Sequence, residues 1–372
     1  IVTVEDFDST LYFLDESEIA YVVREVSEEY TRDVRGSSLA ALFDLFEQEP
    51  TLEVRDEILG ILDQLFPNLL NAGEFRTVAA LLREVRIVAQ RGRQLDPAQQ
   101  ERLLSFEAQL SEPAIVSQFI QSLDEAATRP ADADLMEVLR ELRPTALETL
   151  VVWSPRVVAA PVRELLEQAA DRLASSANAE VLRLLRSPGS DALAGIVALC
   201  GRLALQGAVP GLGDAISHAD PDIRLAAVQS LAEIGSPGAL AHIDRAIDDS
   251  DRTVRLAAVR AAGARGYKGA LRRVEAVVTG KAVRGMDLSE KMAFFEAFGS
   301  IAGAGGLKLL ESMLVPKGVL RKKEPPEMRA CAAIALGRVR TAEARAALER
   351  AAADKDLVVR NAVSRALREV VA

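Results

Sequence analysis

Six stretches in the second half of the chain share one alternation of polar and apolar positions. It is plainest in Asp220-Pro221-Asp222-Ile223-Arg224-Leu225-Ala226-Ala227, in Asp251 to Ala258 and in Asp356 to Val363. Aligned on the cation, the anchors are Leu193 (an apolar stand-in), Arg224, Arg255, Lys291, Arg329 and Arg360, spaced by 31, 31, 36, 38 and 31 residues. Two positions after each anchor stands Gly195, Ala226, Ala257, Ala293, Cys331 or Ala362, always small enough for a neighbouring helix to approach. Seven after it stands Cys200, Leu231, Ala262, Phe298, Leu336 or Leu367, on the same helical stripe and mostly large. Four before it, Asp220, Asp251, Asp287 and Asp356 predict N-caps, with Pro221 at a first helical position where its missing N–H costs nothing. Pro325 replaces the Asp in the fifth unit. A shorter helix and a tight turn precede each of these helices, so the repeat is a hairpin. A hairpin of this length cannot bury its own apolar face, and a fixed period means that stacked neighbours do so. The expected fold is all-α: a right-handed α-solenoid (superhelix) of stacked antiparallel helical hairpins.

Upstream the register loosens but the period stays helical. Thr51-Leu52-Glu53-Val54-Arg55, followed by Leu59 and Leu62, repeats the cap and the Val-Arg step in a longer unit. Amphipathic patterning predicts further helices over 16–33, 37–49, 75–90, 97–110 and 113–126. Arg129 to Asp132 reads as a loop, and Pro144, Pro155 and Pro161 mark helix starts. The expected organisation is an extended or disordered arm over 1–14, divergent helical repeats or an N-terminal cap over 15–140, and the solenoid over 141–372.

The Asp and Arg register of residues 187–372 resembles the HEAT-repeat family, particularly the short bacterial type named after phycobilisome-lyase subunits. The resemblance implies a ladder between successive units, with structural roles for Asp220, Arg224, Asp251, Arg255, Asp356 and Arg360. Lys291 and Leu193 depart from that pattern, so the ladder is expected to weaken or break there. The fold is well specified by this match, but the task is not, since one architecture serves many functions.

Composition narrows the chemistry. Apolar residues make up 49% and aromatics only 4%, an Ala, Leu and Val mixture that suits closely packed helices and poorly suits sheets. Cys200 and Cys331 are too far apart for a disulfide framework or a zinc cluster, which points to a reducing, cytoplasmic compartment. No apolar run reaches the ~18–20 residues of a membrane span, and no signal peptide is visible. The chain starts Ile1-Val2-Thr3-Val4, so residues upstream are expected. His218, between repeats, and His242, on a first helix, belong to no metal-binding spacing, and the Gly-rich stretches 207–213 and 299–306 read as turns rather than phosphate loops. No nucleophile–base set and no cofactor motif is found; neither a catalytic residue, a metal site nor an enzyme is expected.

Charge is uneven. Residues 1–250 carry 21 Lys and Arg against 42 Asp and Glu, whereas residues 251–372 carry 24 against 13. The long 36- and 38-residue spacings place insertions at Thr279–Met286 and Pro316–Pro326, both between the two helices of their hairpins and hence on one edge of the stack. Both are basic and both carry apolar residues expected to be exposed, Val283, Met286, Val319 and Leu320. Lys281, Arg284, Lys317, Arg321, Lys322 and Lys323 are the candidate binding residues, because loops held by a rigid array commonly carry recognition. The leading expectation is a protein-interaction scaffold whose curved surface is lined by second helices and tuned by Arg260, Arg265, Arg338 and Arg365, with an acidic partner at the C-terminal third. Nucleic-acid binding by the basic third is the alternative, disfavoured by the scarcity of stacking aromatics. Head-to-tail self-association and a chromophore-lyase-like activity follow behind.

Overall fold

The computed structural model describes residues 15–31, 34–91, 95–125, 130–187, 189–315 and 323–371, so the expected arm over 1–14 lies outside the described residues. Every regular element among them is helical. The chain divides into two compact units, one of residues 1–146 with 156–169 and one of residues 147–155 with 170–372.

The first unit holds α1 (Glu16–Thr31), α2 (Val34–Gln48), α3 (Leu52–Asn71), α4 (Phe75–Arg91), α5 (Pro97–Leu110), α6 (Pro113–Glu125) and α7 (Asp132–Arg140). α4 is its central helix, packed on α2, α3, α5 and α7. Edge-to-face ring pairs Phe66–Phe106 (5.6 Å) and Phe75–Phe119 (5.3 Å) fill its interior. Arg86 joins α4 to both Glu107 and Glu141, and Arg143 adds a second bond to Glu107 at 3.2 Å. Thr51 sits at the start of α3 as expected, but its side chain makes no capping bond there. Arg55 is buried and donates to the Phe46 carbonyl instead.

The second unit begins with α8 (Leu147–Trp153) and takes the C-terminal turns of α9 (Ala160–Ser176). Six hairpins follow. Their first helices are α10 (Asn178–Leu185), α12 (Val209–Ala215), α14 (Pro237–Ala246), α16 (Leu271–Thr279), α18 (Leu307–Leu314) and α20 (Ala342–Ala351). Their second helices are α11 (Leu193–Arg202), α13 (Pro221–Ile234), α15 (Arg252–Ala264), α17 (Leu288–Ala302), α19 (Pro326–Val339) and α21 (Leu357–Val371), each packed on the next. Capping follows the sequence. Asp220, Asp251, Asp287 and Asp356 accept backbone N–H groups of their own first turns, Asp251 from Thr253 (2.7 Å) and Val254 (3.1 Å).

The stretch 207–213 is not a turn. Val209–Ala215 is a helix, and its internal glycines serve packing: a Cβ at Gly211 would lie 2.7 Å from Leu185, and one at Gly213 2.3 Å from the His242 ring. Gly299 likewise lies inside α17, which ends at Gly303, where φ is +55°. The run Leu288–Leu314 is apolar enough by composition to cross a membrane, yet that bend interrupts it, and α17 is packed between α15 and α19.

Close approach between second helices is set by a position that the repeat alignment passes over. Eight residues after the first five anchors stand Gly201, Ala232, Gly263, Gly299 and Gly337, whereas the last second helix, which no further one follows, has Arg368 there. A Cβ at Gly263 would meet the Ala297 Cα at 2.8 Å, and one at Gly337 would meet the Ala366 Cβ at 3.0 Å. The tightest is Gly299, whose added Cβ would lie 2.2 Å from the Ala335 carbonyl oxygen. Eleven of the fourteen residues of α19 are buried as a result, so this helix offers almost no free face.

Candidate functional site

The anchor cations link the hairpins at the N-terminal ends of the second helices, but their carboxylate partners are not the capping aspartates. Arg224 forks onto both Asp249 oxygens at 2.8 Å, and its remaining amino group donates to the His218 and Ala219 carbonyls. Arg255 binds Glu290 at 2.7 Å and the Asp249 and Ser250 carbonyls, and Arg360 donates to the Asp354 and Lys355 carbonyls in the same way. Arg329 bonds Asp354 and the Leu314 carbonyl. Arg224, Arg255 and Arg329 therefore each tie the stretch that enters their own helix to an acid of the following hairpin, whereas Arg360, in the last hairpin, keeps only the bonds to its own loop. The ladder does not stop at Lys291, which reaches Glu327 at 3.1 Å, but an ammonium makes one such bond where a guanidinium makes several.

At Leu193 no cation is available, and the position matching Asp249 and Asp354 is His218. His218 keeps the local half of the arrangement: its carbonyl accepts from Arg224 and its Nδ1 accepts the Asp220 N–H at 3.0 Å. Loss of the cation in one hairpin thus coincides with loss of the carboxylate in the next. That pairing was visible in the sequence only to a reader who knew that position six before the anchor faces the preceding unit.

Acid is expected to weaken the ladder. Burial opposes ionisation of Asp249, but the Arg224 fork and the Asp251 N–H outweigh it, so its pKa lies below the ordinary 3.8. Arg329 holds Asp354 down against burial in the same direction. A depressed carboxylate contributes stability that is present above the ordinary value and lost as pH falls from there through the lower folded value. The thermal midpoint of the second unit is therefore expected to drop as pH is lowered from about 5 through the ordinary carboxylate range. An Asp354→Asn variant, already weakened at neutral pH, should lose less on acidification; an undiminished acid-induced drop in thermal scans would contradict this assignment.

The two insertions meet. Arg284, in the first, pairs with Glu324, in the second, at 3.1 Å. Within the first, Ala282–Gly285 forms a single 3-10 turn whose Val283 is fully buried rather than exposed, because it pins the loop to the stack; Met286 is half-buried. Lys281 and Lys323 are exposed, and the charge of Lys323 is felt by Asp354. Lys317, Val319, Leu320, Arg321 and Lys322 lie outside the described residues. Ion pairs Arg252–Asp287, Lys291–Glu327 and Arg329–Asp354 continue this edge from α15 to α21. Leu288, Leu357 and Val358, on the first turns of α17 and α21, remain 47%, 60% and 51% exposed on it.

Along the second helices, most of the cations expected to tune recognition are already engaged within the chain. Arg338 lies 3.6 Å from both Glu296 and Glu369, bridging α17 and α21 across α19, and Arg365 also pairs with Glu369. Arg265 donates to the Ala232 carbonyl, the C-terminal end of α13, where a cation complements the helix dipole. Arg260 is exposed.

Cys200 and Cys331 are buried, and burial pushes both thiols up to about 12. Burial, followed by the nearby Arg245, lowers the pKa of His242. Among the described residues no group of His, Cys, Asp or Glu is placed to hold a metal ion. A shallow pocket between α3 and α6, around Pro67, Asn71, Gln118 and Phe119, presents no titratable side chain.

A stack of hairpins joined through the ends of their second helices is an α-helical repeat protein. Residues 178–263 and 209–284 match the family model of HEAT repeats, modules that generally serve as protein-interaction scaffolds. No curated protein matches the chain. Among solved structures, the crystal structure of an engineered protein is 16% identical, covering 91% of this chain and 99% of its own at a TM-score of 0.32. Human deoxyhypusine hydroxylase in complex with glycerol is 14% identical, covering 91% of this chain and 97% of its own at a TM-score of 0.24.

Proposed function

We propose that this chain is a non-catalytic interaction scaffold that binds a protein partner, acidic where it meets the C-terminal third, and that it does so in the cytoplasm. The observation that carries this reading is the Arg284–Glu324 pair, which gathers both insertions onto the edge that also exposes Leu288, Leu357 and Val358. Apolar side chains rimmed by Lys281 and Lys323 suit a protein surface with an apolar centre and acidic margins. Phosphate binding would need a continuous unpaired cationic surface. Instead Arg252, Arg255, Arg273, Arg284, Arg329, Arg338, Arg345, Arg350 and Arg365 all pair with carboxylates of the same chain, which favours the protein partner over nucleic acid.

The test is capture from the native cell extract with wild type and with a Lys281→Glu, Lys323→Glu variant. An acidic protein retained by the first and lost by the second is expected. Identical capture by both would remove the edge from the reading, and salt-sensitive binding of duplex or single-stranded DNA in its place would favour the alternative.

A further inference from the structure

α1 has the pattern of a core helix without being used as one. Ile19, Val22, Val23 and Val26 recur at intervals of three and four, the spacing of a buried stripe. Yet no side chain between residues 15 and 27 is fully buried: these four are half-buried, and Tyr21 is 55% exposed. α4, of nearly the same length, buries nine side chains. A helix of sixteen residues gains little stability from propensity alone in water, so its stripe calls for a covering surface.

The charge on α1 narrows what can cover it. The helix carries five Glu against a single Arg, and Glu16, Glu18 and Glu25 stand exposed beside the stripe. Pairing two copies of α1 would set like charges face to face. A complementary surface is apolar at its centre and positive at its rim. The second unit presents that combination on the edge described above, where Leu288, Leu357 and Val358 are bordered by Lys281, Lys323 and Lys355. We propose that α1 of one copy docks on this edge of a second copy, head to tail. The proposal rests on the edge being a binding surface and names its occupant. Such a contact is heterologous: each copy keeps one unused α1 or one unused edge, so assembly continues into rings or open chains. Its charged rim makes it weaken as salt rises.

Sedimentation of the full chain tests this. Wild type at low salt should gain mass with concentration and return to a single chain at high salt. A Val22→Ser, Glu25→Lys variant, which leaves untouched the Asp15 carboxylate that accepts the Ser17 and Glu18 N–H groups at the start of α1, should stay a single chain. So should a Lys281→Glu, Lys323→Glu, Lys355→Glu variant. Mixed in equal amounts, the two retain one intact α1 and one intact edge between them, so they should form a species of twice the single-chain mass that grows no further. Circular dichroism of both variants checks that they fold. A wild type that remains a single chain up to its solubility limit overturns the proposal, as does an α1 variant that assembles like wild type. If assembly is lost only in the edge variant, the edge stands and α1 is not its occupant. If that edge variant also captures the same proteins from extract as wild type, the reading of the edge as a partner site fails separately.

Discussion

An Arg329→Ala substitution is expected to destabilise the second unit by about 3–5 kcal/mol, more than any change at an exposed ion pair. Arg329 keeps only 4% of its surface, and it satisfies both the Asp354 carboxylate and the Leu314 carbonyl. Truncation leaves those two acceptors without their donor in a partly dehydrated junction, and the desolvation penalty then falls on the remaining carboxylate. For a domain of this size each kcal/mol moves the thermal midpoint by roughly 2–4 °C, so a drop of about 10 °C should appear in calorimetry. The comparison is Arg252→Ala. Its pair with Asp287 is about half exposed on both sides, and a solvated pair of that kind contributes about 0–1 kcal/mol. Equal losses in the two variants would mean that burial does not govern the ladder.

The second large effect is at Gly299. Intrinsic helix propensity favours Ala over Gly by about 1 kcal/mol, so Gly299→Ala taken by itself should stabilise α17. Packing reverses the sign. The new methyl would lie 2.2 Å from the Ala335 carbonyl oxygen, a backbone atom that cannot swing aside, so α17 and α19 must move apart. Overpacking of this kind costs about 1–3 kcal/mol, and the lost contact along a nearly buried α19 adds to it. Gly60 provides the control. It lies inside α3, and a Cβ there would meet only the end of the Arg102 side chain, at 3.9 Å. Gly60→Ala should therefore stabilise by about 0.5–1 kcal/mol. Chemical denaturation of both variants decides the matter; stabilisation at both sites would show that the helices have slack at Gly299.

Most elements were legible because their signals are local. A carboxylate four residues before an anchor, a proline at a first helical position and an apolar residue seven later each act within one helix, and each helix start they marked in the second unit is present. Patterning upstream located α1 to α6 within a few residues, although it could not tell that the stripe of α1 would stay only half-buried. The proposed binding edge was legible only in outline. An excess spacing of five or seven residues reveals an insertion, and hairpin stacking sets both insertions on one side. That Val283 turns inward while Arg284 takes Glu324 depends on the neighbouring hairpin, whose position no single repeat encodes.

The amino-acid sequence by itself determined the helical hairpins, their caps, their register and the stripe each must bury, since all of these follow from propensity and periodicity over fewer than twenty residues. Tertiary structure decided which acid answers each anchor cation, which glycines admit the next helix and which cations are already neutralised. Those outcomes join residues about 25 to 40 positions apart. At that separation the partner is chosen by how two helices cross and how much water their crossing excludes, and neither is a property of a short segment.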